Sequence, residues 1–286
     1  GLTVSAGALS PAFSSGTTSY TVTVLSTVTQ TTLTVTVQDQ TATLAINGTG
    51  VSSGQAFGPV PLAVGANEFR IVVTAQNGAT KTYVVTVTRT ANANLAGLSF
   101  SAGPLAPAFD AGITAYSVGA PNAAATTTVT ATLADATSTM TINGQAVASG
   151  QALGPVPLIV GPNTFTIVVT AAGGAATKTY TVTVTRAASS NANLSGLQVS
   201  PGVMAPVFSP EITAYAVTGT GLFTSTVTVV ATVEDPTATV SIDGQAVSSG
   251  QALTIPINIG TTTITIVVRA QDTVTIKTYT VTVTRP

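Results

Sequence analysis

The sequence predicts an all-β chain of three tandem antiparallel β-sandwich domains strung as an extended rod, and three observations point there. One pattern occurs three times. Leu98, Ser101, Gly103, Pro107, Phe109 and Tyr116 return as Leu197, Ser200, Gly202, Pro206, Phe208 and Tyr215, and are preceded by Leu2, Ser5, Gly7, Pro11, Phe13 and Tyr20. A repeat of roughly a hundred residues is a domain, too long for a solenoid unit that needs neighbours to bury its core, and it is large enough to fold without covalent staples. Apolar residues alternate with threonine at period two, the spacing of a half-buried strand. No stretch carries the 3.6-residue apolar period of a helix.

Each repeat ends in the same strand. Tyr83, Val85, Val87 and Arg89 share one face, and Val84, Thr86 and Thr88 the other. Tyr180, Val182, Val184 and Arg186 follow the same parity, as do Tyr279, Val281, Val283 and Arg285. β-Branched residues on both faces suit a pleated surface. The strand before it alternates likewise: Phe69, Ile71 and Val73 match Phe165, Ile167 and Val169, then Ile264, Ile266 and Val268. Ile46-Asn47-Gly48, Ile142-Asn143-Gly144 and Ile242-Asp243-Gly244 predict a tight hairpin, because Asn-Gly and Asp-Gly accept the positive φ that a type I′ turn demands. About seven such strands per repeat make a sandwich the expected closure. The linkers, Thr90-Ala91-Asn92-Ala93-Asn94-Leu95 and Ala187-Ala188-Ser189-Ser190-Asn191-Ala192-Asn193-Leu194, are short, and part of each is expected to enter the next first strand. The domains are therefore placed at 1–90, 91–188 and 189–286, the first opening at Gly1-Leu2 without the Asn-Ala-Asn-Leu lead of the others.

The lead Asn94-Leu95-Ala96-Gly97-Leu98, the Ser-x-Gly-x-x-x-Pro-x-Phe stretch and the Tyr-x-Val-x-Val-x-Arg ending resemble the bacterial cadherin-like β-sandwich repeat, three times over nearly the full length. The resemblance implies an immunoglobulin-like fold, a place in tandem arrays of large secreted or surface proteins, and no activity of the module itself.

Composition narrows the function classes. There is no cysteine, histidine or tryptophan, which removes disulfides, zinc–thiolate sites and the commonest general base. Charged residues make up 6% of the chain, against roughly 25% in an average soluble protein. A net charge of −1 supplies no basic surface for nucleic acid or anionic lipid, and no run nears the ~20 apolar residues of a spanning helix. The carboxylates Glu68, Asp110, Glu211 and Asp272 are scattered, and no nucleophile elbow, phosphate loop or metal spacing occurs. No enzymatic activity, catalytic residue or cofactor is expected. Calcium takes six to eight oxygens, but the sequence offers one adjacent acidic pair, Glu234-Asp235, and no acid in either linker. That pair reads as a solvated strand end, and no metal site is expected.

Repetition sorts the remaining polar residues. Tyr20, Tyr116 and Tyr215 occupy one repeated position, and Tyr83, Tyr180 and Tyr279 another; buried rings with hydroxyls on backbone are expected. Asp39, Asp135 and Asp235 are read as caps of a bend. Arg89, Arg186 and Arg285 have core-facing parity at a strand end, where they cap the sandwich or reach the next domain. The threonine rows are read as solvated sheet faces.

The expected role is mechanical. A nearly uncharged surface with three lysines, Lys81, Lys178 and Lys277, protects weakly against association at strand edges. Copies of the same chain are the expected partner, through head-to-tail or strand-edge contacts, with Gly1, Leu2, Thr3, Arg285 and Pro286 as candidate assembly contacts. An incompletely paired first strand would accept strand addition, and a heterologous contact propagates as a filament. The same ends also suit a fragment of a longer array. The expected protein is a structural component of the bacterial cell exterior, a subunit of a self-assembling surface filament or a stalk segment of a large adhesin. The alternative is a non-catalytic binding module for polysaccharide or another surface protein, using exposed aromatics. Phe57, Phe100 and Phe223 lie outside the repeated aromatic positions and are read as core or edge filler.

Overall fold

The computed structural model describes every residue from Gly1 to Pro286. The first module consists of β1 (Leu2–Val4), β2 (Ser19–Val24), β3 (Gln30–Val35), β4 (Thr43–Ile46), β5 (Thr49–Gly50), β6 (Ala56–Pro61), β7 (Gly65–Thr74) and β8 (Thr80–Arg89). One sheet runs β1-β3-β6 and the other β2-β8-β7-β4-β5. The second module places Leu95–Phe100, Thr126–Leu133 and Ala152–Pro157 in the smaller sheet, and the third places Leu194–Ser200, Thr226–Val233 and Ala252–Pro256 there. Each larger sheet is built around the two ten-residue strands, β7 and β8 in the first module and Gly260–Arg269 and Ile276–Arg285 in the third. β2 runs parallel to β8, from Ser19↔Val84 to Val24↔Arg89, and Ala214–Thr218 runs parallel to Ile276–Arg285, while the strands around them, such as β7 with β8, pair antiparallel. Period-two alternation reads the same in both directions, so it could not show this pair.

The alternation drives the packing. Along β2 exposed and buried residues alternate without a break, and Leu33, Ile46, Phe69, Ile71, Val85 and Val87 form the centre of the first core. Leu194, Val229, Ile242, Ile264, Ile266 and Val281 do the same in the third. Each fully buried side chain of this size contributes about 1.5–3 kcal/mol relative to exposure. The expected hairpins form: Asn47, Asn143 and Asp243 have φ of 48°, 49° and 46°, each followed by a glycine of positive φ. Their side chains accept the amides of Arg70, Thr166 and Thr265 at 2.8–2.9 Å, which ties the turn to the facing strand.

Tyr20, Tyr116 and Tyr215 are buried and donate to the carbonyls of Ser14, Asp110 and Ser209 at 2.6–2.7 Å. Tyr83, Tyr180 and Tyr279 donate to Ser15, Ala111 and Pro210 at 2.9–3.1 Å. Both tyrosine positions thus hold the segment that precedes the parallel strand. One local difference sets the third module apart. Gly58 and Gly154 sit in bulges where an added Cβ would meet the Thr31 or Thr127 carbonyl at 2.8 Å. The third module has the shorter Leu253-Thr254-Ile255 there, and its register runs on unbroken.

Contacts divide the chain into two compact units. One contains residues 1–119, 126–158 and 162–184; the other contains 120–125, 159–161 and 185–286.

Candidate assembly site at the module ends

Chemistry concentrates where one module ends and the next begins. β8 closes with Arg89, and core-facing parity turns its side chain inward, where it is 5% exposed. A buried guanidinium needs acceptors. Nε and Nη2 donate to the Ser26 carbonyl at 2.9 and 2.6 Å, and Nη1 to the Leu62 carbonyl at 3.1 Å. The same group stands 3.8 Å from the Asp135 carboxylate of the second module. Both sequence readings of this arginine therefore hold at once: it caps its own sandwich and reaches the next.

Asp135 is held in place from its own side. It accepts the Thr137 amide at 2.9 Å and the Thr137 hydroxyl at 2.7 Å, the bend cap expected from sequence. Burial pushes its carboxyl up, but Thr137, the Arg89 charge and Ser26 outweigh burial, and its pKa lies below the ordinary value. Asp39 keeps the cap, through Thr41 at 2.9 and 2.8 Å, and its pKa is lowered chiefly by the Thr41 amide. Asp235 is lowered chiefly by the Ser189 hydroxyl, then by Thr237.

Arg186 and Arg285 repeat the cap. Arg186 donates Nε to the Asn122 carbonyl at 2.8 Å. Arg285 donates to the Leu222 carbonyl from Nε and Nη2 at 3.2 and 2.9 Å, and to the Ile257 carbonyl from Nη1 at 3.2 Å. Arg285 is only half-buried, and Pro286 is exposed.

The lysines and the linkers form the second part of the site. Lys178 Nζ donates to the Asn94 side chain at 3.0 Å and to the Ala111 carbonyl, with its charge 5.2 Å from the Tyr180 ring centroid. Lys277 does the same to Asn193 at 2.8 Å and Pro210 at 2.7 Å. Lys81 donates to the Ser15 carbonyl at 2.6 Å and lies 5.4 Å from the Tyr83 ring centroid. Linker residues do enter the next first strand, at Leu95 and Leu194. In the first junction the Ser138 hydroxyl also donates to the Asn92 carbonyl at 2.7 Å. In the second linker, Ser189 accepts the Asp272 amide at 3.0 Å and donates its own amide to Gln271 at 3.0 Å.

Of the residues anticipated as assembly contacts, Gly1, Leu2 and Thr3 lie on the outer strand of the smaller sheet, beside Thr34–Thr36. Leu2 is buried, Gly1 and Thr3 are exposed, and the Gly1 ammonium donates to the Thr36 carbonyl at 2.6 Å. One aromatic departs from its expectation. Phe100 is buried against Phe165 at a ring distance of 5.2 Å, and Phe57 packs on the first core. Phe223 is neither core nor edge filler: it is 93% exposed. It occupies a loop carried by the Arg285 cap rather than a strand, so alternation gave it no inward side. Leu222 and Ile259 on the two capped loops are 55% and 71% exposed. The sequence carries a signal for the first of these loops, Leu222 and Phe223 at the positions of Ser26 and Thr27 in the first repeat, but not for which faces the arginine leaves open.

The profile of the cadherin-like beta sandwich domain matches residues 2–90, 95–187 and 192–286. Over 88 residues the chain is 38% identical to a protein of Evansella cellulosilytica that carries the name of a membrane protein; the match takes in 31% of this chain and only 13% of that protein's length. Among solved structures, domains EC1-3 of mouse protocadherin-24 align over 96% of this chain and 99% of theirs, at 12% identity and a TM-score of 0.35. Domains EC22-24 of mouse cadherin-23 align over 98% of both chains, at 15% identity and a TM-score of 0.28.

Proposed function

The chain belongs to the cadherin-like β-sandwich family in each of its three modules, and on that premise we propose that it is a structural protein of the bacterial cell exterior, a subunit of a surface filament or a stalk segment of a large adhesin. Domains of this family serve extracellular adhesion or structural roles. The finer reading rests on one observation, the Arg89–Asp135 contact between consecutive modules. The chemistry of both halves of that contact recurs in the chain. Asp39 keeps the threonine-capped carboxylate in an exposed position, and Arg285 keeps the forked cap with Leu222, Phe223 and Ile259 exposed around it. An Arg285–Asp39 contact between two copies would repeat the internal one. Gly1 and Leu2 line the surface next to Asp39, and Thr3 and Pro286 would fall at the rim. A contact of this heterologous kind adds copies without closing.

Electron microscopy of the purified chain over a concentration series tests the filament. Regular filaments are expected, lost in Arg285→Glu and in Asp39→Lys and regained when the two variants are mixed. Single particles at every concentration would sink the filament and leave the stalk segment. A second reading, a binding module for polysaccharide or another surface protein, draws support from the exposure of Phe223, since aromatic faces are common contact platforms. Glycan binding by a chain that stays monomeric, abolished in Phe223→Ala, would favour it.

A further inference from the structure

The joint between the first two modules holds a buried charge whose acceptors come from both sides. Arg89 and Asp135 belong to the same compact unit of the chain. Where the modules meet, Arg89 and Ser26 of the first are each 5% exposed, and Asp135 and Ser138 of the second are 8% and 6% exposed. Polar groups buried together at one place are costly unless each finds a partner. Here each does, for no buried side-chain nitrogen or oxygen is left without a hydrogen bond.

Both charges are held from behind. Arg89 is fixed by the Ser26 and Leu62 carbonyls, on two loops of its own module. Its fork is rigid and planar, so those loops set the direction in which Nη2 faces Asp135, 3.8 Å away. Asp135 is fixed by the Thr137 amide and hydroxyl, at 2.9 and 2.7 Å, within the second module. Neither charge can turn from the other without giving up bonds inside its own sandwich. Burial raises the Asp135 pKa, and Thr137, Arg89 and Ser26 more than reverse it, so two residues of the first module act on that carboxylate.

The linker adds little play. The Thr90 amide donates to the Val24 carbonyl of the first module at 3.0 Å. Two residues later, the Asn92 carbonyl accepts the Ser138 hydroxyl of the second at 2.7 Å. The Asn92 side chain then accepts the Asn94 amide at 2.9 Å, and the Asn94 carbonyl accepts the Ala134 amide at 3.0 Å. Ala91 alone stands between backbone tied to one module and backbone tied to the next.

The geometry points to a lock made by the chain itself: the Arg89 guanidinium serves as the cation of this joint and fixes the first two modules in one orientation. Two carbonyls and a carboxylate converge there, and a positive charge between them is what their oxygens require. The donor set suits a guanidinium, since Asp135 is the one carboxylate paired with Arg89 and no cluster of three His, Cys, Asp or Glu occurs in the chain. Tilting the modules would pull the guanidinium from the carboxylate while its own carbonyls still hold it. Breaking a buried pair in this way is strongly unfavourable. The lock goes beyond the filament and stalk readings and depends on neither, because the joint lies inside the chain.

Residual dipolar couplings of the deuterated, ¹⁵N-labelled 286-residue chain test it. One alignment tensor should fit the amides of β7 and β8 together with those of Thr126–Leu133 and Thr177–Arg186, in EDTA and in calcium alike. Arg89→Met keeps the apolar stem, and Asp135→Asn keeps an acceptor for Thr137. In each variant the common tensor should be lost, while either module still fits a tensor of its own. Should Arg89→Met cost the first module its fold, Asp135→Asn carries the test. Two tensors in the parent chain would overturn the lock, as would a common tensor that survives in either folded variant. A common tensor that forms only with calcium would overturn the guanidinium as the cation.

Discussion

The opening ends of the first and second modules contain nearly the same residues in opposite states. Around Tyr180 the second module is closed: Leu95 is buried, Lys178 is engaged by Asn94, and Asp135 lies under Arg89. Around Tyr83 in the first module, Ala75 and Asp39 are exposed and a groove is lined by Ile71, Val73 and Tyr83 among others. The comparison teaches that in the second module the first residues of its opening strand, entered from the linker, close over the Tyr180 end of the core.

The largest expected effect comes from opening that closure. Leu95→Ala should destabilise the second module by about 2–5 kcal/mol and leave the first unchanged. Amide hydrogen exchange at Val182 and Val184 is the measurement, because three modules need not unfold as one. Equal loss of protection at Val85 and Val87 would erase the distinction between the two ends.

Next comes the charge across the junction. Arg89→Ala strips a buried carboxylate of its neighbour and leaves the Ser26 and Leu62 carbonyls without donors, a cost of about 3 kcal/mol. Arg285→Ala, at a half-buried cap, should cost about 1 kcal/mol. Chemical denaturation of the two variants side by side reads the contrast.

A smaller effect separates the tyrosines. Tyr180→Phe loses two hydrogen bonds in a dry setting, about 1–2 kcal/mol, while Tyr83→Phe loses one near solvent, about 0.5 kcal/mol. If the two prove equal, the groove is not open in solution.

The smallest effect is in pH. Asp39 and Asp135 both have folded pKa values below the ordinary one, so each contributes stability that is present above the unfolded carboxylate pKa of about 3.9 and is lost as pH falls through the folded value. Arg89→Ala should raise the Asp135 pKa, since the guanidinium holds it down, and leave that of Asp39 where it is. Carboxyl titration by NMR decides this, and a shift at both positions would count against it.

Much of this was legible in the sequence. Tyr180 and Tyr279 were placed with rings buried and hydroxyls on backbone, and that is where they lie; Tyr83 keeps the bond to backbone but is only half-buried. Asn47-Gly48 announced its turn, and Asp135 its cap. What stayed hidden has a physical cause. The parallel course of β2 against β8 leaves no trace in a period-two pattern. The exposure of Phe223 depends on which loops Arg285 draws over the core end. That Gly1 and Leu2 share a surface with Tyr83, some eighty positions along the chain, could not be read from local spacing.

The sequence by itself determined the three-fold repeat, the strands, their inward faces and the turns, because each is set by residues within a few positions of one another. Tertiary structure alone decided that Arg89 meets Asp135, and that one Tyr-Lys pair is covered while its repeat stands open. Those outcomes depend on which distant segments share a surface, and local spacing carries no record of that.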